Sequence, residues 1–117
     1  MNGRIRLQVV FFMTDSRREP VRDWLISLDK EDRKIVGEDI KTIQFGWPLG
    51  LPLVRKMGME LWEVRSQLPN RIARVIFTVQ DDNMILLHGF IKKSQKTPTA
   101  DLKLAKKRLI QFKEHDR

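Results

Sequence analysis

Cysteine and tyrosine are both missing from the 117 residues, and histidine occurs only at His88 and His115. Without cysteine there are no disulfides, no thiolate metal ligands and no cysteine nucleophile, and two histidines are too few for a histidine-built metal cluster. Neither a metal nor any other cofactor is expected. No apolar run approaches the roughly 18 residues of a membrane span. The stretch from Ile5 to Met13 is interrupted by Arg6 and Gln8 and lacks a small-residue cleavage site. A cytoplasmic protein with no membrane partner is the expectation. Negative charge is also scarce: 15 Asp and Glu face 23 Lys and Arg, a formal net charge of +8. The excess is concentrated after residue 47, which suits a polyanionic partner as well as an acidic protein or simple solubility.

What is present suffices for one folded domain over residues 1–117, with 41% apolar side chains to bury. Ile5, Leu7, Val9 and Phe11 alternate with Arg6, Gln8, Val10 and Phe12, the imperfect period of two of a first strand. Pro20 at a first helical turn precedes the stripe Val21, Trp24, Leu25 and Leu28, and Asp29 with Asp32 mimics a capping box for a second helix. That helix carries Ile35, Val36, Ile40 and Ile43 and ends in the connector containing Gly46, Pro48, Gly50 and Pro52. Three β-rich runs follow: 61–68, 72–80 and 84–93. They are separated by Pro69-Asn70 and by Asp81-Asp82-Asn83. Thr97 is placed to cap a last helix, with Pro98 at its first position and Leu102, Ala105, Leu109 and Phe112 as its apolar stripe. The reading is an α+β fold of order β-α-α-β-β-β-α. Its sheet is mainly antiparallel and twisted, with the helices packed on one face.

Strand alternation assigns side chains to faces, because directly opposed residues of an antiparallel pair point the same way. A turn that pairs Gln80 with Met84 sets Arg74 opposite Phe90, Ile76 opposite His88 and Ile72 opposite Lys92. A four-residue loop 68–71 pairs Gln67 with Ile72 and therefore Arg65 with Arg74. One face then gathers Ala73, Val75, Phe77, Val79, Ile85, Leu87, Gly89 and Ile91, joined by Trp62 and Val64, and is expected to meet the helices. The other gathers Glu63, Arg65, Arg74, His88, Phe90 and Lys92, with Lys93 and Lys96 beyond the strand end, as an open cationic surface.

Such a surface fits RNA cleavage by attack of a ribose 2′-hydroxyl on its neighbouring phosphate, where preorganised cations stabilise the phosphorane. Arg65 and Arg74 are candidate phosphate clamps, and His88 or Lys92 candidate proton-transfer groups. Phe90 fits either a base-stacking platform or a core position. His88 equally fits a hydrogen-bonded structural histidine, and Arg65 a surface ion-pair partner of Glu63 or Asp81. The lysine group 92, 93 and 96, beside a basic last helix, suits phosphate binding.

The tracts 20–28, "LWEVR" at 61–65, 74–77 and above all "LLHGFIKKSQKTP" at 86–98 resemble the RelE/HigB superfamily of toxins from bacterial toxin–antitoxin modules, in particular its phage-derived HigB-like subgroup. The resemblance covers nearly the whole chain and implies a RelE-like fold. It also implies a ribosome-dependent mRNA endonuclease, or mRNA interferase, that inhibits translation and is silenced by a cognate helix-turn-helix antitoxin of HigA type; with no metal ligand set in the sequence, its chemistry is expected to be metal-independent. Arg65, Arg74, Phe90, Lys92, Lys93, Lys96 and Thr97 occupy positions that recur in the pattern. The expected catalytic set is Arg65, Arg74, His88 and Lys92. RNA contacts are expected from Lys56, Arg71, Phe90, Lys93, Lys96 and Lys107. Two departures stand out: Glu19 where a Ser cap is usual, and no tyrosine to serve an acid/base step. The alternatives are a gyrase-directed toxin of the ParE kind and a non-catalytic RNA-binding module.

Overall fold

The computed structural model describes residues 4–92 and 97–115. The chain forms β1 (Gln8–Phe11), α1 (Pro20–Ser27), α2 (Lys30–Gly46), β2 (Val54–Gly58), β3 (Leu61–Leu68), β4 (Arg71–Gln80), β5 (Asn83–Lys92) and α3 (Thr99–His115). The strands make one mixed sheet in the order β1-β5-β4-β3-β2. β1 runs parallel to β5, and the other neighbours are antiparallel. None of the described helices is long and apolar enough to cross a membrane.

β2 is the element the sequence conceals. It emerges from the Gly/Pro connector, is five residues long and carries Arg55 and Lys56 at the sheet edge, where short length and charge discourage further strand pairing. The backbone N–H of Arg65 donates to the Leu53 carbonyl at 2.8 Å, which holds the connector against β3.

The expected facing is half right. Arg65 lies opposite Arg74, Arg74 opposite Phe90 and Ile76 opposite His88, as alternation requires. Beyond Ile76 the register slips by one, so that Phe77 meets Leu86 and Gln80 meets Asn83. The cause is a tighter turn. Asp81 and Asp82 both adopt positive φ, 49° and 65°, the conformation of a two-residue hairpin turn whose twist matches its strands. The saved residue reappears as a bulge at Leu87. Leu86 and Met84 therefore face α1 and α2, whereas Ile85 and Leu87 join the opposite side.

That opposite side corrects the expectation of helices on one face only. α1 and α2 bury Val21, Val36, Ile40 and Ile43 against Val64, Ala73, Val75, Phe77 and Leu86. α3 crosses the other face, where Ala105 and Leu109 pack on Ile76, Ile85, Leu87 and Phe90, with Phe12 and Leu61 alongside. The physical reason lies in β4, which is apolar on both faces over much of its length, as strands covered on both sides are.

Two expected caps do not form. Asp29 makes no side-chain cap bond, and Asp32 turns from the helix end to pair with Arg71. Thr97 commits its hydroxyl to Glu63 and Arg74 rather than to the start of α3. On the α1 side, Trp24 lies so close over Gly89 that a Cβ there would stand 2.4 Å from its ring.

Candidate active site

Three adjacent strands each bring one arginine to the α3 face. Arg55 on β2 is opposite Glu63 on β3; two residues along, Arg65 is opposite Arg74 on β4. Directly opposed residues and residues two apart share a face, so Arg55, Glu63, Arg65 and Arg74 converge. The Glu63 carboxylate, itself buried, accepts from Arg65 Nη1 at 3.4 Å and from the Thr97 hydroxyl at 2.6 Å. Arg74 Nη1 donates to the same Thr97 oxygen at 3.3 Å. Thr97 therefore links the segment entering α3 to both strands.

The three arginines differ sharply in exposure. Arg74 is fully buried, the Arg65 side chain retains 13% of its surface, and Arg55 is exposed. Burial pushes the Arg74 guanidinium below its ordinary pKa; Glu63 opposes that shift, while repulsion from Arg65 and Arg55 adds to it. This group, three guanidiniums around Glu63, carries net positive charge and favours an anion at its accessible edge. Arg65 and Arg55 are the members that reach solvent, and exposed Lys92 ends the same face of β5.

A second polar group sits beneath α3. His88 Nε2 is 2.6 Å from Asp101 Oδ1, and Arg108 Nη1 is 3.4 Å from His88 Nδ1. Arginine has only donors, so Nδ1 accepts and Nε2–H donates to the carboxylate. The same Arg108 nitrogen donates to the Leu87 carbonyl at 2.8 Å, satisfying the backbone at the bulge. Burial lowers the Arg108 pKa from its ordinary value. Phe90 stacks on His88 with centroids 5.3 Å apart, and is 8% exposed.

The structure thus divides the expected site residues. Arg65, Arg74 and Lys92 share a face as expected, but α3 covers Arg74, Phe90 and most of His88. Phe90 is a core side chain under α3, not an open platform. Arg71 points to the other face and pairs with Asp32 of α2. Lys56 also lies on that other face, 4.2 Å above the Trp62 ring. Lys107 lines a separate cleft between α3 and residues 14–16. Lys93 and Lys96 fall outside the described residues. Sequence reasoning missed Arg55, Asp101 and Arg108. Arg55 was hidden with β2, and nothing local marks Asp101 and Arg108 as partners of His88.

Residues 23–110 match the family model described as phage derived protein Gp49-like (DUF891). No curated protein matches the chain. The matched span runs from α1 into α3 and includes Arg55, Glu63, Arg65, Arg74, His88, Thr97, Asp101 and Arg108. It takes in most of the sequence and every described residue of the cationic cluster, and the chain belongs to the Gp49-like family of phage-derived proteins, which is associated with RelE/HigB-like toxins.

Proposed function

We propose that this protein is the toxin of a toxin–antitoxin module and cleaves mRNA on translating ribosomes, with a cognate helix-turn-helix antitoxin holding it silent. The observation that carries the reading is the convergence of Arg55, Arg65 and Arg74 on one sheet face around Glu63. In the reaction, a ribose 2′-oxygen bonds to the adjacent phosphorus, the bond from phosphorus to the 5′-oxygen breaks, and the 2′-proton is passed on as the 5′-oxygen gains one. Charge builds on the non-bridging oxygens. Arg65 is the guanidinium placed to meet them, and Lys92 the accessible ammonium at the strand end. Arg74, buried behind Arg65, acts as a positioning residue through Thr97 and Glu63. His88, held by Asp101 and Arg108, positions α3 on the sheet.

The test is a translation extract programmed with a defined mRNA, with and without ribosomes, read by primer extension. Ribosome-dependent breaks ending in a 2′,3′-cyclic phosphate and a 5′-hydroxyl are expected, and a single 2′-deoxy substitution at the cut site abolishes them. Intact mRNA together with gyrase-dependent DNA breaks would transfer the protein to the gyrase-directed branch. Binding of RNA without cleavage would leave a non-catalytic module.

A further inference from the structure

Beside Arg65 lies a cleft of about 430 Å³, lined by Asp39 of α2, Pro52 and Leu53 of the connector, Gln67 of β3 and Ile72 of β4. Its size falls within the range of small-ligand sites. Its lining suits a flat, polar-edged ligand. Pro52, Leu53 and Ile72 supply apolar walls, and Asp39 and Gln67 supply hydrogen-bonding groups of opposite character. Neither Asp39 nor Gln67 hydrogen-bonds another side chain among the described residues. An ionised Asp39 offers two acceptors and no donor, whereas the Gln67 amide offers two donors and an acceptor.

We infer that this cleft is a nucleobase subsite that selects guanine. Among the four RNA bases only guanine presents two adjacent donors, N1–H and N2–H₂, to a carboxylate, with the O6 acceptor next to them for an amide N–H. Adenine and cytosine each present an acceptor where guanine carries N1–H, and uracil offers a single N–H between two carbonyls. The Arg65 guanidinium in the same lining then meets the phosphate joined to that nucleoside. The inference rests on the RNA-directed reading above and adds its substrate preference: cleavage adjoining a guanosine.

Two measurements keep the subsite and the nuclease apart. The first titrates the full chain with guanosine, adenosine, cytidine and uridine 3′-monophosphates, followed by amide chemical shifts. Guanosine 3′-monophosphate is expected to bind on the order of tenfold or more tightly than the others, as a bidentate base contact allows, with shifts centred on Asp39, Leu53 and Gln67. D39N is expected to erase that preference while keeping the phosphate-driven affinity, and Gln67→Leu to weaken it. The second maps cleavage sites on a mixed-sequence mRNA for the parent and D39N proteins. Equal binding of the four nucleotides, or a guanosine preference that survives D39N, overturns the subsite even if RNA is cut. A guanosine preference lost in D39N upholds it even if no cleavage is seen, and only the nuclease reading then fails.

Discussion

The two faces of the sheet are built from the same strands but solve different problems. Under α1 and α2 the strands present Val64, Ala73, Val75, Phe77 and Leu86 to a nearly uniform apolar core. Under α3 the face changes character along its length. Ile76, Ile85 and Leu87 pack on Ala105 and Leu109, and then Glu63, Arg74 and Thr97 replace them near the start of the helix. Burying an ion pair seldom gains stability over well-packed apolar residues of similar volume. A fully buried arginine in a basic cluster is therefore poorly explained by folding alone. The first face holds the fold together, while the second combines a smaller core with a charged group whose accessible edge is open to an anion.

The largest effects should come from breaking the second face at its apolar and charged centres. Phe90→Ala removes a buried aromatic from beneath α3, and about 3–5 kcal/mol of stability should go with it. Urea unfolding is the measurement. A variant as stable as the parent would mean that α3 does not cover this face. Glu63→Ala should cost a comparable 3–5 kcal/mol or so, because it leaves Arg74 buried beside Arg65 without their shared carboxylate. Arg65→Ala sharpens the contrast. It removes a partly exposed member and should cost on the order of 1.5 kcal/mol in stability, while lowering cleavage by about 10²–10³ if Arg65 meets the phosphorane. Equal destabilisation by Glu63→Ala and Arg65→Ala would dissolve the distinction between support and contact.

How much of this was legible beforehand depends on which forces act locally. The helices at Pro20–Ser27 and Lys30–Gly46 and the pairing of Arg65 with Arg74 and of Arg74 with Phe90 follow from periodicity and alternation. The second half of the β4–β5 pairing does not. A two-residue turn at Asp81-Asp82 shifts the pairing from Phe77 to the turn by one residue, a compensating bulge at Leu87 restores the expected register from Ile76 to Ile72, and alternation cannot see an inserted residue. The position of α3 was readable in principle. Ile76 and Phe90 already made the supposedly open face partly apolar, and the apolar stripe on α3 needed such a partner. Arg71 and Lys56 looked like free cations because their partners, Asp32 and Trp62, are distant in sequence or belong to an unrecognised strand pair. Nothing in the local sequence could join His88 to Asp101 and Arg108, since that contact exists only once α3 crosses the sheet.

An intermediate effect probes how tightly the first face is packed. Gly89 leaves room for the Trp24 ring, and a Cβ there would lie 2.4 Å from it. Gly89→Ala should therefore push α1 off β5 and cost about 1–3 kcal/mol, seen as a lower urea midpoint. Combining it with Trp24→Leu should cost less than the sum of the two single changes, because the smaller side chain relieves the clash. Strict additivity would show that Trp24 and Gly89 are not in contact.

The smallest effect concerns a surface link between the faces' outer edges. Glu60, in the turn between β2 and β3, accepts from Lys113 near the end of α3 at 2.5 Å and from Gln80 at 3.2 Å. The Lys113 bond, followed by the Gln80 bond, holds its carboxyl below the ordinary 4.5. The sign follows from linkage: a group whose folded pKa is depressed stabilises the fold above its unfolded pKa, and loses that contribution as pH falls through the folded one. Both side chains are more than two-fifths exposed, so solvent screening keeps the pair at about 0.2–1 kcal/mol. Glu60→Gln should thus lower stability slightly at pH 7 and not at all once the carboxyl of the parent is protonated, with the difference shrinking in high salt. Urea midpoints of the two proteins from pH 7 down through the folded pKa of Glu60, each at low and high salt, decide it. A loss at pH 7 that persists after the Glu60 carboxyl is protonated would mean that Glu60 acts by packing rather than by charge, and that α3 is fixed at this end by its apolar contacts alone.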